Sequence, residues 1–146
     1  MDGRIFDVWL ASSGLSALAA CTLICELGSA ENVKQTPAAE LVERGLLSDK
    51  AAYSLPRSLD KAYKIIEDCE KLSYDILTFG GKKYPECLMR IKNPPIVLYV
   101  SGKLPDFDAL PAFAIVGSRN ASAAGLAKTE QIAFELAAAG AVVVSG

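Results

Sequence analysis

Residues 113–129 read "FAIVGSRNASAAGLAKT". Apolar β-formers run into Gly117, a single arginine and small polar residues follow, and an alanine-rich helical pattern comes next. That order predicts a strand handing a ligand loop to a helix N-terminus. Gly117 permits a sharp turn and gives a ligand close access to backbone N–H groups. Ser118 adds a hydroxyl, and Arg119 adds a planar five-donor cation suited to phosphate. Ser122 is placed to cap the helix or to bond the ligand. Gly125 allows the helix to pack closely on the strand. All of this favours an anion, a phosphate above others. The pattern is neither G-x-G-x-x-G nor a P-loop, and the same residues also suit a turn whose arginine caps a helix or pairs with a carboxylate.

The surrounding sequence is strand-rich. Asp75–Phe79, Ile96–Val100, Ala112–Val116 and Ala141–Val144 are short apolar runs bounded by glycine, proline or serine. Apolar residues without alternation imply burial on both faces, hence a parallel sheet of about four strands with a crossover helix near 123–139. The expected class for 74–146 is α/β. The sequence stops at Ser145-Gly146, beyond the last strand and where open α/β sheets place ligands, so it is expected to be part of a longer protein.

Residues 1–73 read instead as short helices. Leu15, Leu18, Ala19, Leu23 and Ile24 keep helical spacing before Gly28. Thr36-Pro37 is a helix start with a hydroxyl cap, and Gly45 ends that helix. Ser48 or Asp49 begins another short helix, toward Leu55. Leu59, Ala62, Tyr63, Ile66 and Cys69 form one apolar stripe. A small all-α domain over 1–73, followed by an α/β domain over 74–146, is the expected organisation.

The apolar share is 51% and charged residues make up 22%, which suits a globular protein rather than a disordered one. Nothing approaches the roughly 20 apolar residues of a membrane span, and the acidic start is not a signal peptide. A cytoplasmic protein with no membrane partner is expected. Cys21, Cys25, Cys69 and Cys87 are too few for a disulfide scaffold, and Cys21 and Cys25 are expected to be buried thiols rather than metal ligands. No cofactor is expected. The chain has no histidine, which excludes Ser-His-Asp and Cys-His nucleophiles and any histidine base. Net charge is −2 at a pI of about 5.2, against a broadly basic nucleic-acid binder. Yet Lys82, Lys83, Arg90, Lys92, Lys103, Arg119 and Lys128 face only Glu86, Asp106 and Asp108 within residues 82–128, a local basic zone.

The succession "YPECLMRIKNPPIVLYVSGKL", "FAIVGSRNASAAG" and "VVVSG" resembles the DNA-processing protein A (DprA/Smf) family. The matching positions are Tyr84, Pro85, Leu88, Pro94, Pro95, Leu98, Tyr99, Gly102, Val116, Gly117, Ser118, Arg119, Ser122, Gly125, Ser145 and Gly146. The resemblance implies a Rossmann-like domain, and residues 8–55 resemble that family's more variable helical N-terminal domain, of sterile-alpha-motif or helix-hairpin-helix type. It further implies a non-enzymatic protein of natural transformation that binds single-stranded DNA, protects it and helps load the RecA recombinase, with a homodimer in the full-length protein. Carried over, Arg119 grips a backbone phosphate, Gly117 and Ser118 supply loop contacts, and Ser145 with Gly146 begins the opposite wall. Ala124 stands where the family often has tyrosine, so that ring is missing. Two other readings compete: a nucleotide or phosphoribosyl hydrolase on a related Rossmann-like fold, and a plain protein-interaction module.

Overall fold

The computed structural model describes residues 3–145. They form a mixed α/β chain that divides into two compact units between Lys103 and Leu104. The break from helices to strands falls near residue 73, as the sequence indicates. The compact units part further on, because the first two strands pack on the helices.

The first unit begins with α1 (Arg4–Ala11), a helix too short to show in the apolar spacing of the sequence. Its Ile5, Val8, Trp9 and Leu10 are all buried, so this short helix is the hub of the core. Around it lie α2 (Ala17–Leu27), α3 (Ala30–Gln35), α4 (Ala38–Glu43), α5 (Asp49–Ser54) and α6 (Asp60–Lys71). Serines start three of them: Ser16, Ser29 and Ser48 accept from the N–H of Ala19, Asn32 and Ala51, each satisfying an orphan donor of a first turn. Gly28 ends α2 at φ 85° with its N–H on Ile24 O at 2.8 Å. Leu23, Val33, Leu41, Ala52, Ala62 and Ile66 fill the core against α1.

Some helical details differ from expectation. Thr36 does not cap α4: its hydroxyl donates back to Asn32 O at 2.7 Å, and Pro37 takes the capping position. Tyr63 and Leu18, expected on apolar stripes, are exposed. Cys25 is also exposed and Cys21 only half-buried, because their helix turns Ala20 and Leu23 inward instead.

Strands β1 (Tyr74–Thr78) and β2 (Val97–Ser101) complete this unit as an antiparallel pair, with Tyr74 opposite Ser101 and Thr78 opposite Val97. The connection between them holds only the single-turn helix α7 (Glu86–Met89) and Pro94-Pro95. It lacks the crossover helix that a parallel pair needs, which corrects the parallel expectation for these two strands. Ile76, Ile96 and Val97 join the helical core; Tyr99, paired with Ile76 and so on the same face, is exposed, while Leu77 on the other face is buried.

The second unit is a βαβ segment: β3 (Ala112–Ile115), α8 (Ala123–Ala138) and β4 (Val142–Ser145). Here the pairing is parallel, with Ala112 opposite Val142 and Ile115 opposite Ser145. Gly140, at φ 85°, turns the chain from α8 into β4, a conformation only glycine adopts without strain. No described residue of α8 is buried, and Leu126, Ile132 and Phe134 are exposed.

Candidate phosphate-binding loop

The quoted stretch folds as its pattern indicates. β3 ends at Ile115, and α8 begins at Ala123 with Ser122 as its cap, φ −70° and ψ 157°. Between them the backbone leaves the sheet edge into solvent, and Val116 is 88% exposed. A Cβ built on Gly117 would meet nothing within 4 Å. The glycine therefore leaves an open approach to the backbone rather than relieving a clash.

Two hydroxyls shape the loop. Ser118 Oγ accepts from the Asn120 N–H at 3.2 Å, a serine turn that fixes the direction of the residues around Arg119. Ser122 Oγ accepts from the Gly125 N–H at 3.1 Å. Each hydroxyl spends a lone pair in this way and keeps its proton to donate. The amides of Ala123 and Ala124, in the first turn of α8, have no carbonyl one turn back to bond. Donors thus gather at the positive end of a helix dipole.

Arg119 is exposed and forms no ion pair with a described residue. The alternative in which its guanidinium pairs with a carboxylate or caps a helix has no support in this geometry. Gly125 has a different role from the one expected. Its missing Cβ would lie 3.3 Å from Ser122 Oγ, so the glycine makes room for the cap rather than for the strand.

Ser145 lies opposite Ile115 in the parallel ladder, two residues before Gly117. Register therefore brings Ser145 to the same carboxyl end of the strands as the loop and the start of α8, the end at which open parallel sheets present ligands. Gly146 lies outside the described residues. Asn120 was not singled out from the sequence. The signal was present, since serine followed two residues later by a free backbone N–H is the pattern of a local hydroxyl turn.

The basic zone divides between the two units. Lys82, Lys83, Arg90, Lys92 and Lys103 belong to the first, and Arg119 and Lys128 to the second. Arg90 pairs with Glu86 at 3.3 Å. Lys82 and Lys83 are exposed beside Tyr84, which is only 4% exposed. Tyr84 donates its phenol to Pro95 O, and its ring meets Phe79 edge-on at 5.8 Å. Burial pushes this phenol above its ordinary pKa, with the Cys21 and Cys87 thiols adding to the shift, which keeps the O–H protonated as a donor. Tyr84 is thus a brace between the start of α7 and the entry to β2.

Among the described residues no helix is long and apolar enough to cross a membrane, and no group of three or more acidic or cysteine side chains gathers as a metal site. The family model described as DNA recombination-mediator protein A matches residues 75–146, a span that takes in β1 from its second residue, β2 to β4 and the loop. The chain is also similar to Protein Smf of Borreliella burgdorferi, at 36% identity over 87 residues, 57% of this chain and 27% of that protein. It spans about a quarter of the length of that relative.

Proposed function

Because residues 75–146 belong to the DNA recombination-mediator protein A (DprA/Smf) family, we propose that the chain binds single-stranded DNA through the 117–122 loop. It does so in the handling of incoming strands for recombination, as a cytoplasmic protein. The observation that carries this is Arg119: an exposed guanidinium with no ion pair to a described residue, beyond the carboxyl end of a strand, where two serine hydroxyls and a helix N-terminus present donors. A phosphodiester offers acceptors to groups of each of these kinds. Ser145 supplies the facing wall, and β3–α8–β4 forms part of a Rossmann-like sheet.

No catalytic step is assigned. A backbone phosphate is held by charge and N–H donors, and contact of that kind is tolerant of sequence. The role is that of a binding protein, not an enzyme. It works as a homodimer that delivers the strand to the RecA recombinase.

Arg119→Ala tests this. It should weaken binding of single strands of different sequence by similar factors and lower the salt dependence of log K by about 0.7. Arg119→Lys should restore only part, since lysine keeps the charge without the two-pronged donor set. A folded Arg119→Ala protein with unchanged affinity and salt slope would remove the loop from the binding site.

A further inference from the structure

A second cationic site lies in the helical unit, far along the sequence from the loop. Between α3, α4 and the end of α5 is a groove of about 390 Å³ lined in part by Trp9, Lys34, Tyr53, Pro56 and Arg57. No carboxylate among the described residues lines it, although residues 1–81 are net acidic. The neighbouring Glu40 is engaged with Arg44 at 3.5 Å, and Glu31 accepts from Gln35 at 3.3 Å. Neither Lys34 nor Arg57 forms an ion pair with a described residue.

Trp9 organises these cations. Its ring, 2% exposed, carries the Lys34 ammonium 5.5 Å from its centroid, a cation–π distance. Its indole N–H donates to Pro56 O at 2.9 Å, and so fixes the backbone immediately before Arg57. One buried side chain thus positions two cations at the same groove. Beside them Tyr53 is 66% exposed, a large planar surface that the fold leaves uncovered.

We infer that this groove is a second contact for single-stranded nucleic acid, with Lys34 and Arg57 on backbone phosphates and a base stacked on Tyr53. The volume suits a nucleotide-sized ligand. Alternating phosphate and base matches alternating cation and aromatic, which is how single strands are held without regard to sequence. An acidic peptide would answer the cations and leave the Tyr53 face unused. The inference rests on the reading that the chain handles single strands, but it concerns residues of the other unit.

The test titrates a short oligothymidine into the full chain while following the fluorescence of Trp9, the single tryptophan. Wild type and Arg119→Ala should both show a Trp9 change. Lys34→Gln with Arg57→Gln should abolish that change and lower the salt slope by about 1.4. Tyr53→Leu should weaken binding about tenfold. Thermal melting confirms that each variant is folded, and the single variants Lys34→Gln and Arg57→Gln should each give about half the slope change. Groove variants that bind as wild type, while Arg119→Ala loses binding, would overturn the groove and keep the loop. The converse result would keep the groove and overturn the loop. No binding by wild type would overturn both. Polyglutamate producing the same Trp9 change at equal affinity would make the groove a peptide site and overturn the inference.

Discussion

Tyr84→Phe isolates one hydroxyl. The phenol oxygen donates to Pro95 O, while the ring, 4% exposed, is held edge-on to Phe79 with 72° between planes. Phenylalanine keeps the ring and its packing and removes only the donor. Pro95 is half-buried, so water reaches its carbonyl only in part once the phenol is gone. The loss should therefore lie near the lower end of the cost of an unmet buried acceptor, about 1 kcal/mol. Tyr84→Ala also removes the ring and should cost about 3–5 kcal/mol. Urea unfolding of the two variants separates the terms: the midpoint should fall for each, with the slope of the transition unchanged for phenylalanine. Oligonucleotide affinity of folded Tyr84→Phe should equal wild type, because the phenol points at a carbonyl. A phenylalanine variant as stable as wild type but weakened in binding would refute this assignment and make Tyr84 a DNA contact.

Burial pushes the Asp7 carboxyl up to about 6, against a backbone hydrogen bond that lowers it. The folded state thus holds the proton more tightly than the unfolded chain, and this group's contribution to stability falls as pH rises from about 4 to 6. Asp7→Asn should remove that slope and stabilise the protein at pH 7 by about 1 kcal/mol after allowance for solvent screening, measured by urea unfolding at several pH values. A variant with the same pH dependence as wild type would contradict it. Gly125→Ala sets about 1 kcal/mol of helix propensity against crowding of the Ser122 cap at 3.3 Å, itself worth about 1 kcal/mol. The two should nearly cancel, within about 0.5 kcal/mol by thermal melting, and a loss above about 2 kcal/mol would mean that the cap cannot yield.

The βαβ segment was legible because its signals are local. Val116-Gly117 ends a β-forming run, Ser122 precedes a helical pattern, and Gly140 follows it. Ser122 Oγ on the Gly125 N–H and the parallel ladder realise those signals directly. The direction of β1 against β2 was not legible. The run Ile96–Val100 is equally apolar in a parallel and in an antiparallel pair, and only the connection back to β1 and the packing on α1 and α6 distinguish them. Helix α1 was passed over for a similar reason. Its eight residues are short for a periodicity argument, yet Trp9 reaches residues 34 and 56, far away in sequence. Of the candidate site, the residue types were legible. The availability of Arg119 was not, because sequence says nothing of which carboxylates come within reach.

The central claim is that Arg119 meets a backbone phosphate, and a cycle between protein and DNA variants tests it most directly. Affinities are measured for wild type and Arg119→Ala, each with a short oligothymidine and with the same strand carrying neutral methylphosphonates at successive positions. If the contact exists, one or two positions weaken wild type clearly and leave Arg119→Ala unaffected, a coupling of about 1–3 kcal/mol for a charge-assisted bond. If every methylphosphonate weakens both proteins equally, so that no position couples to Arg119, the loop does not hold the strand.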